Sequence, residues 1–385
     1  MKKIFKVLIG ISLVLALIIL LMPGYLRTAL IYQTPDIDDY RIFHNRVIEA
    51  VDPQPWSYHQ AFGELSIPER FTDSFFKFEP VAFLLIQNGQ LLFEEYFDGY
   101  HASSLSGSFS MAKSIIALLI GAAIDDGYIQ SVHQPVSDFL PDFAISGHNV
   151  TLHHLLTMTS GLDWDEEYAA AFSITTKAYY GRNLSALLQP LGVITPPGEE
   201  FYYSSGTTQL LAFVLEAATG VSVSEYTTRR LWKPLGAQED ALWSLDRKDG
   251  KEKAYCCFNS NARDFARMGQ LVLNQGYWKG EKIISPEYIQ KLITPVYGVK
   301  DRKGNPVDYY GYQTWILHHR NMQIPYFRGI LGQYVFMLPQ QDAVVVRLGH
   351  KRSDYRIQDI PSDVFLYVDM ALEMLNQLPV ADETD

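Results

Sequence analysis

The first apolar block of the chain is an uncharged run from Val7 to Met22, entered through Lys2, Lys3 and Lys6 and left through Pro23-Gly24. Its sixteen residues fall short of the ~20 that cross a bilayer core, but Ile4, Phe5 and Leu26 extend it and Lys6 can snorkel. No small-x-small cleavage pattern lies between Leu20 and Ala29. Lysines at the extreme N-terminus keep that end in the cytoplasm. The expected arrangement is an uncleaved anchor over residues 1–30 with the remainder exported, periplasmic or extracytoplasmic. Secretion after signal cleavage is the alternative.

Residues 31–70 are mixed in polarity and interrupted by Pro35, Pro53, Pro55 and Pro68. They read as a connector wrapping the domain, with one short helix from Asp38 to Ala50. Strand patterning begins at Val81 to Ile86 and Leu91 to Phe97, separated by Asn88-Gly89. Asn-Gly between two β-rich runs predicts a hairpin, because both turn residues must take positive φ. From Ser110 the pattern turns helical. Met111 to Ile124 is almost wholly apolar, which predicts a helix buried on most sides and closed by Asp125-Asp126-Gly127. Further helices are expected over Thr151–Met158, Thr207–Ala218 and Asn261–Asn274. Strands return at Tyr310–Leu317, Gln333–Leu338 and Ala343–Leu348, and an amphipathic helix closes the chain over Ile360–Leu378. Early and late strands bury their apolar faces only by sharing one sheet. Residues 71–380 are therefore expected to form one domain of mixed α/β (α+β) class. It has an antiparallel sheet flanked by helices and a mainly helical lobe, and the cleft between them is the default site.

Composition changes this picture little. Hydrophobic residues make up 48% of the chain, enough for a sizeable core. A net charge of −11 argues against phosphate-backbone contacts, so no nucleic-acid partner is expected. The two cysteines, Cys256 and Cys257, are adjacent. Neighbours on an extended chain point to opposite faces, so both are read as free thiols packed in the core. His153-His154 and His318-His319 lack metal-ligand spacing, Gly-x-Ser-x-Gly is absent, and no Gly-rich phosphate loop is present. No metal or cofactor is expected.

Ser110-Met111-Ala112-Lys113 places a hydroxyl and an amine three residues apart, on one face of the helix that starts there. A serine needs a base to become a nucleophile, and a lysine needs apolar surroundings to lose its proton near neutral pH. Ile115, Ile116 and Ala117 supply such surroundings, and the helix N-terminus favours the alkoxide. Ser-x-x-Lys by itself arises by chance. A cap followed by a surface lysine, as in Ser244-Leu245-Asp246-Arg247 with arginine in that place, is the ordinary alternative.

Ser110-Met111-Ala112-Lys113-Ser114, Pro135-Val136-Ser137-Asp138-Phe139-Leu140-Pro141 and Thr151-Leu152-His153-His154-Leu155-Leu156 together resemble the serine β-lactamase and penicillin-binding-protein family. The resemblance is to its class C-like branch and, within it, to 6-aminohexanoate-dimer hydrolases and related esterases, over about residues 80–350. It implies a β-lactamase-like fold. It implies that Tyr203, in Tyr202-Tyr203-Ser204-Ser205-Gly206, is the catalytic tyrosine, with Tyr202 the competing candidate. A phenol beside a lysine ammonium would lose its proton more easily. Ser205 stands where class C enzymes carry asparagine. Gly329-Ile330-Leu331-Gly332-Gln333 resembles a strand end of the dimer hydrolases, which implies an oxyanion hole from the N–H groups of Ser110 and Ile330. Gly329 would let that strand approach the substrate. Asn259 resembles an asparagine facing the active site, with helix capping as its alternative role, and Tyr168 matches a substrate-facing tyrosine by position.

The resemblance has a gap. The strand motif Lys-Thr-Gly, which holds a substrate carboxylate in β-lactamases, is missing. A serine hydrolase acting through an acyl-enzyme on small esters or amides is therefore expected. A β-lactamase or D-alanyl-D-alanine carboxypeptidase, and a non-catalytic envelope protein of the same fold, are the alternatives.

Overall fold

The computed structural model describes residues 2–168 and 170–378. The last two residues of the expected domain, 379 and 380, lie outside them. The strands predicted early and late do share one sheet. Pro80–Gln87, Gln90–Tyr96, Trp315–His319, Met322–Gly329, Gln333–Leu338 and Ala343–Gly349 form six strands. The early hairpin docks on the last strand, so that Ile86 pairs with Val344 and Leu84 with Val346, and every neighbour is antiparallel. Asn88 and Gly89 have φ of 49° and 70°, as the hairpin turn requires.

The sheet is buried on both faces, which explains the near-continuous apolar runs. Leu84, Ile86, Val335, Met337, Val344 and Val346 face one core. Phe83, Leu85, Phe336, Leu338 and Val345 face the other. Alternation along each strand separates the two sets. Helix Ala262–Leu273 covers the first face. A Cβ on its Gly269 would stand 2.7 Å from Val335 and 2.8 Å from Val344, so the absence of a side chain sets the closeness of that packing. The C-terminal helix, Ser362–Leu375, covers the second face with Tyr367, Val368 and Ala371.

Three expected elements are displaced. The connector carries no helix over 38–50. A 3-10 turn at Asp39–Arg41 leads into strand His44–Ile48, which pairs with Ala241–Leu245 in a second, four-stranded sheet. Tertiary pairing overrides local preference here. Tyr310 to Thr314 is loop, because Gly311 lies against Leu292, where a Cβ would meet the carbonyl oxygen at 2.3 Å; the strand begins at Trp315. The last helix begins at Ser362, since Ile360–Pro361 pairs with Arg356–Ile357.

The cysteines are not free. Cys256 and Cys257 are joined by a disulfide. The chain is not extended at this point: the N–H groups of both cysteines donate to Lys253 O, at 3.3 and 3.0 Å, and the turn brings the two sulfurs together.

In the helical lobe, Met111–Asp125 is buried from Met111 to Ala123 and packs against Ser205–Thr219. At the N-terminus, Lys2–Leu21 is one helix, with mean hydropathy 3.0 over Lys3–Leu21 and none of its described side chains buried. It is long and apolar enough to cross a membrane. Pro23 starts a second helix, Gly24–Tyr32, which lies on helix Ile174–Tyr180.

Candidate active site

Ser110 caps the buried helix at the point where the two lobes meet. The residue before it, Phe109, has φ of 44°, an uncommon backbone for a bulky side chain and one found at strained functional turns. The turn is clamped from two sides. Ser108 N–H donates to Phe258 O at 2.8 Å and Ser108 Oγ donates to Cys256 O at 2.9 Å. Opposite, Gly329 presses on the turn so closely that a Cβ there would stand 2.3 Å from Ser108 O. The missing side chain of Gly329 therefore serves contact between strand and turn.

Lys113, fully buried, reaches three oxygens. Its Nζ lies 3.1 Å from Ser110 Oγ, 3.0 Å from Ser205 Oγ and 2.8 Å from Tyr255 O. Burial lowers its pKa to about 8, against a smaller opposing pull from Glu166. The other two partners define what Ser110 meets. A carbonyl oxygen can only accept. Ser205 spends its own proton on Glu166 Oε1 at 2.6 Å, so its oxygen also accepts from the lysine. When Lys113 is neutral its two N–H groups have these acceptors, and the lone pair is left for the Ser110 proton.

Tyr203 and Tyr202 are separated by the fold. Tyr203 lies beside Ser110, whose hydroxyl favours the ionised phenol, and Lys113 Nζ lies 5.1 Å from its ring centroid. Tyr202 instead turns away, its hydroxyl accepting from Glu166 N–H at 3.1 Å beneath Arg302. The phenol of Tyr203 is not acidified, contrary to expectation. Burial raises its pKa well above the usual range and outweighs the hydrogen bond from Ser110. The lysine faces the ring rather than the hydroxyl, so the expected charge contact does not form.

Glu166, on the loop after Trp164, was not singled out from the sequence. Besides Ser205 Oγ, it accepts from Ser205 N–H at 2.6 Å, Trp164 Nε1 at 2.7 Å and the Tyr168 hydroxyl. Trp164 reaches it only because Gly206 has no side chain: a Cβ there would stand 2.3 Å from the indole. A lone acidic residue in a loop carries no spacing signal. The same holds for Tyr255, whose contribution is a backbone carbonyl.

Ile330 follows Gly329 at the strand end and lines the same cavity as Ser110, Ser205 and Tyr168. Among the described residues, the turns and loops offer no backbone carbonyl to the N–H of Ser110 or Ile330. The cavity has a volume of about 370 Å³. Asn259 is not part of it. Its amide donates to Leu242 O, Ser244 Oγ and Cys257 O inside the four-stranded sheet, and the cap of the following helix is Asn261. Among the described residues no group of His, Cys, Asp or Glu is placed to hold a metal ion.

Residues 71–364 match the β-lactamase family. The chain belongs to that family. It is a serine hydrolase, and in its fold a serine and a lysine of one helical turn lie 3.1 Å apart. The 6-aminohexanoate-dimer hydrolase of Paenarthrobacter ureafaciens is 26% identical over 285 residues, covering 69% of this chain and 71% of that protein. A Bacillus anthracis structure provisionally named as such a hydrolase superposes with a TM-score of 0.70 at 21% identity, covering 93% of this chain and 96% of that one. A family VIII carboxylesterase superposes with a TM-score of 0.64 at 17% identity, covering 84% and 100%.

Proposed function

We propose that this protein hydrolyses small esters or amides through an acyl-enzyme on Ser110. The observation that carries this reading is the buried Lys113 amine, 3.1 Å from Ser110 Oγ, with its pKa lowered to about 8. Neutral Lys113 accepts the Ser110 proton while Oγ attacks the substrate carbonyl carbon. The carbonyl oxygen becomes an oxyanion facing the N–H groups of Ser110 and Ile330. The bond from that carbon to the leaving oxygen or nitrogen then breaks. The leaving group takes a proton from Tyr203, which recovers one from the Lys113 ammonium, leaving that amine neutral for the second half of the reaction. Water repeats the sequence on the acyl-enzyme and releases the acid.

The hydrolase and carboxylesterase named above support esters and amides as the substrate class. The hydrogen bond of Tyr168 to Glu166 and its position in the cavity wall support a substrate-facing role for it. The lysines that precede the apolar N-terminal helix favour a domain anchored by that helix on the outer face of the membrane. The test is a fluorophosphonate probe on the purified full chain with an ester and amide panel. Labelling and turnover that both vanish in Ser110→Ala are expected. Labelling that survives Ser110→Ala sinks the assignment.

A further inference from the structure

The cavity in front of Ser110 has a wall that the hydrolytic chemistry does not require. Met22, Leu26, Ala29 and Leu30 of the N-terminal segment line it, facing Phe172 and Tyr179. Leu26 is the buried anchor of helix Gly24–Tyr32. The wall begins at Met22, one residue after the apolar helix ends at Leu21. With that helix in a bilayer, the cavity stands at the level where the chain leaves the hydrocarbon. Its rim is apolar and open: Leu30 and Phe172 are 59% and 73% exposed, and Ile31, next to Leu30 in the chain, is 72% exposed. Exposed apolar side chains gathered beside a membrane segment fit contact with lipid.

The interior is equally specific in what it lacks. Among the described residues, no charged side chain lines it. Thr175, Thr176 and Tyr179 are lining residues whose hydroxyls already donate to Asp165 O, Ala170 O and Asp39. A charged tail would find no counter-charge in this apolar lining, whereas a hydrocarbon chain displaces only water. Tyr203, the proton source for the leaving group, does not line this cavity. The part of the substrate held here is therefore the acyl part.

Resting on the hydrolase reading above, we propose that the substrates are esters with a long unbranched acyl chain, entering from the bilayer between helix Gly24–Tyr32 and loop 170–173. Ser110 Oγ bonds to the acyl carbon, the ester C–O bond breaks, and the alcohol departs with the proton. Water then releases the fatty acid.

The experiment uses the full chain in lipid nanodiscs with p-nitrophenyl acetate, butyrate, hexanoate and octanoate. Burial of each methylene predicts a rise in kcat/KM of about threefold to fourfold, until the cavity is filled. Ala29→Phe, which fills the wall, and Leu30→Glu, at an exposed position that tolerates charge without refolding the core, should each cut the octanoate-to-acetate ratio at least tenfold. Fluorophosphonate labelling of Ser110 verifies that each variant is folded. A flat or falling chain-length profile with active acetate hydrolysis overturns this inference and leaves the hydrolase standing. So does an unchanged ratio in both variants. No turnover of any ester and no labelling of the unaltered chain overturns the hydrolase reading instead.

Discussion

Ser205 gives both of its protons to Glu166: the hydroxyl to Oε1 and the backbone N–H to Oε2, each at 2.6 Å. This fixes the Ser205 oxygen as an acceptor facing Lys113 at 3.0 Å, and through it a carboxylate controls a lysine it does not touch. Glu166 pulls the Lys113 pKa upwards against burial. Glu166→Gln keeps the shape, removes the charge and lets the amide donate towards Ser205. The acid limb of the kcat/KM profile should move to lower pH. The plateau should fall by about 10- to 100-fold, the size of one charged hydrogen bond. An acid limb that stays in place would show that Glu166 acts only in packing.

The unaltered enzyme should itself titrate at the lysine. Because burial lowers the Lys113 pKa to about 8, the amine is charged and unable to accept a proton below that value. Activity is lost as pH falls through about 8 and is retained above it, the direction opposite to that of a group needed in its charged form. Lys113→Arg, charged at every accessible pH, should lower kcat by about 10²- to 10⁴-fold. A bell centred near pH 6 would point to a histidine or carboxylate base.

Tyr203 and Tyr202 are neighbours in sequence with different surroundings. Tyr203→Phe removes the hydroxyl beside Ser110 and should reduce kcat by about 10²- to 10⁴-fold. Tyr202→Phe removes only an acceptor for Glu166 N–H and should cost far less. Steady-state rates on one ester compare the two directly, and equal losses would remove the distinction.

Gly329→Ala inserts a methyl 2.3 Å from Ser108 O. The strand carrying Ile330 must then back away from the Ser110 turn. We expect a loss of about 1–3 kcal/mol in stability, the usual cost of overpacking, with a kcat loss larger than that of a core variant of equal stability. Thermal melting and kinetics on the same preparation test this. Full activity in Gly329→Ala would show that the close contact is not needed.

The Cys256–Cys257 disulfide adjoins two carbonyls that the site uses, Tyr255 O on Lys113 and Cys256 O on Ser108. Intact mass should fall below the dithiol value by two hydrogens, and thiol reagents should label the chain only after reduction. Reduction, or Cys256→Ser with Cys257→Ser, should lower kcat while leaving cooperative unfolding in place. Two titratable thiols in the oxidatively prepared native protein would contradict the bond.

The sequence by itself determined what short-range chemistry can encode. Asn88-Gly89 fixes a hairpin because few residue pairs accept two positive φ angles. The apolar block after Ser110 fixes a buried helix, and Ser-x-x-Lys fixes two groups on one face of it. The two-sided burial of the sheet was legible in its unbroken apolar runs. Tertiary structure decided whatever depended on partners distant in the chain. Strand His44–Ile48 exists through its pairing with Ala241–Leu245, and residues 38–50 alone gave no sign of it. Glu166 reached Ser205 through the packing of Trp164 over Gly206, and Asn259 was drawn into the sheet instead of the cavity. Tyr203 kept its proton because burial cost more than its contacts returned. The helix after the apolar segment became a wall of the Ser110 cavity through packing on Ile174–Tyr180, some 150 residues further along. Local patterns set backbone geometry, whereas desolvation and charge depend on which surfaces meet, and that is fixed only when the chain has closed on itself.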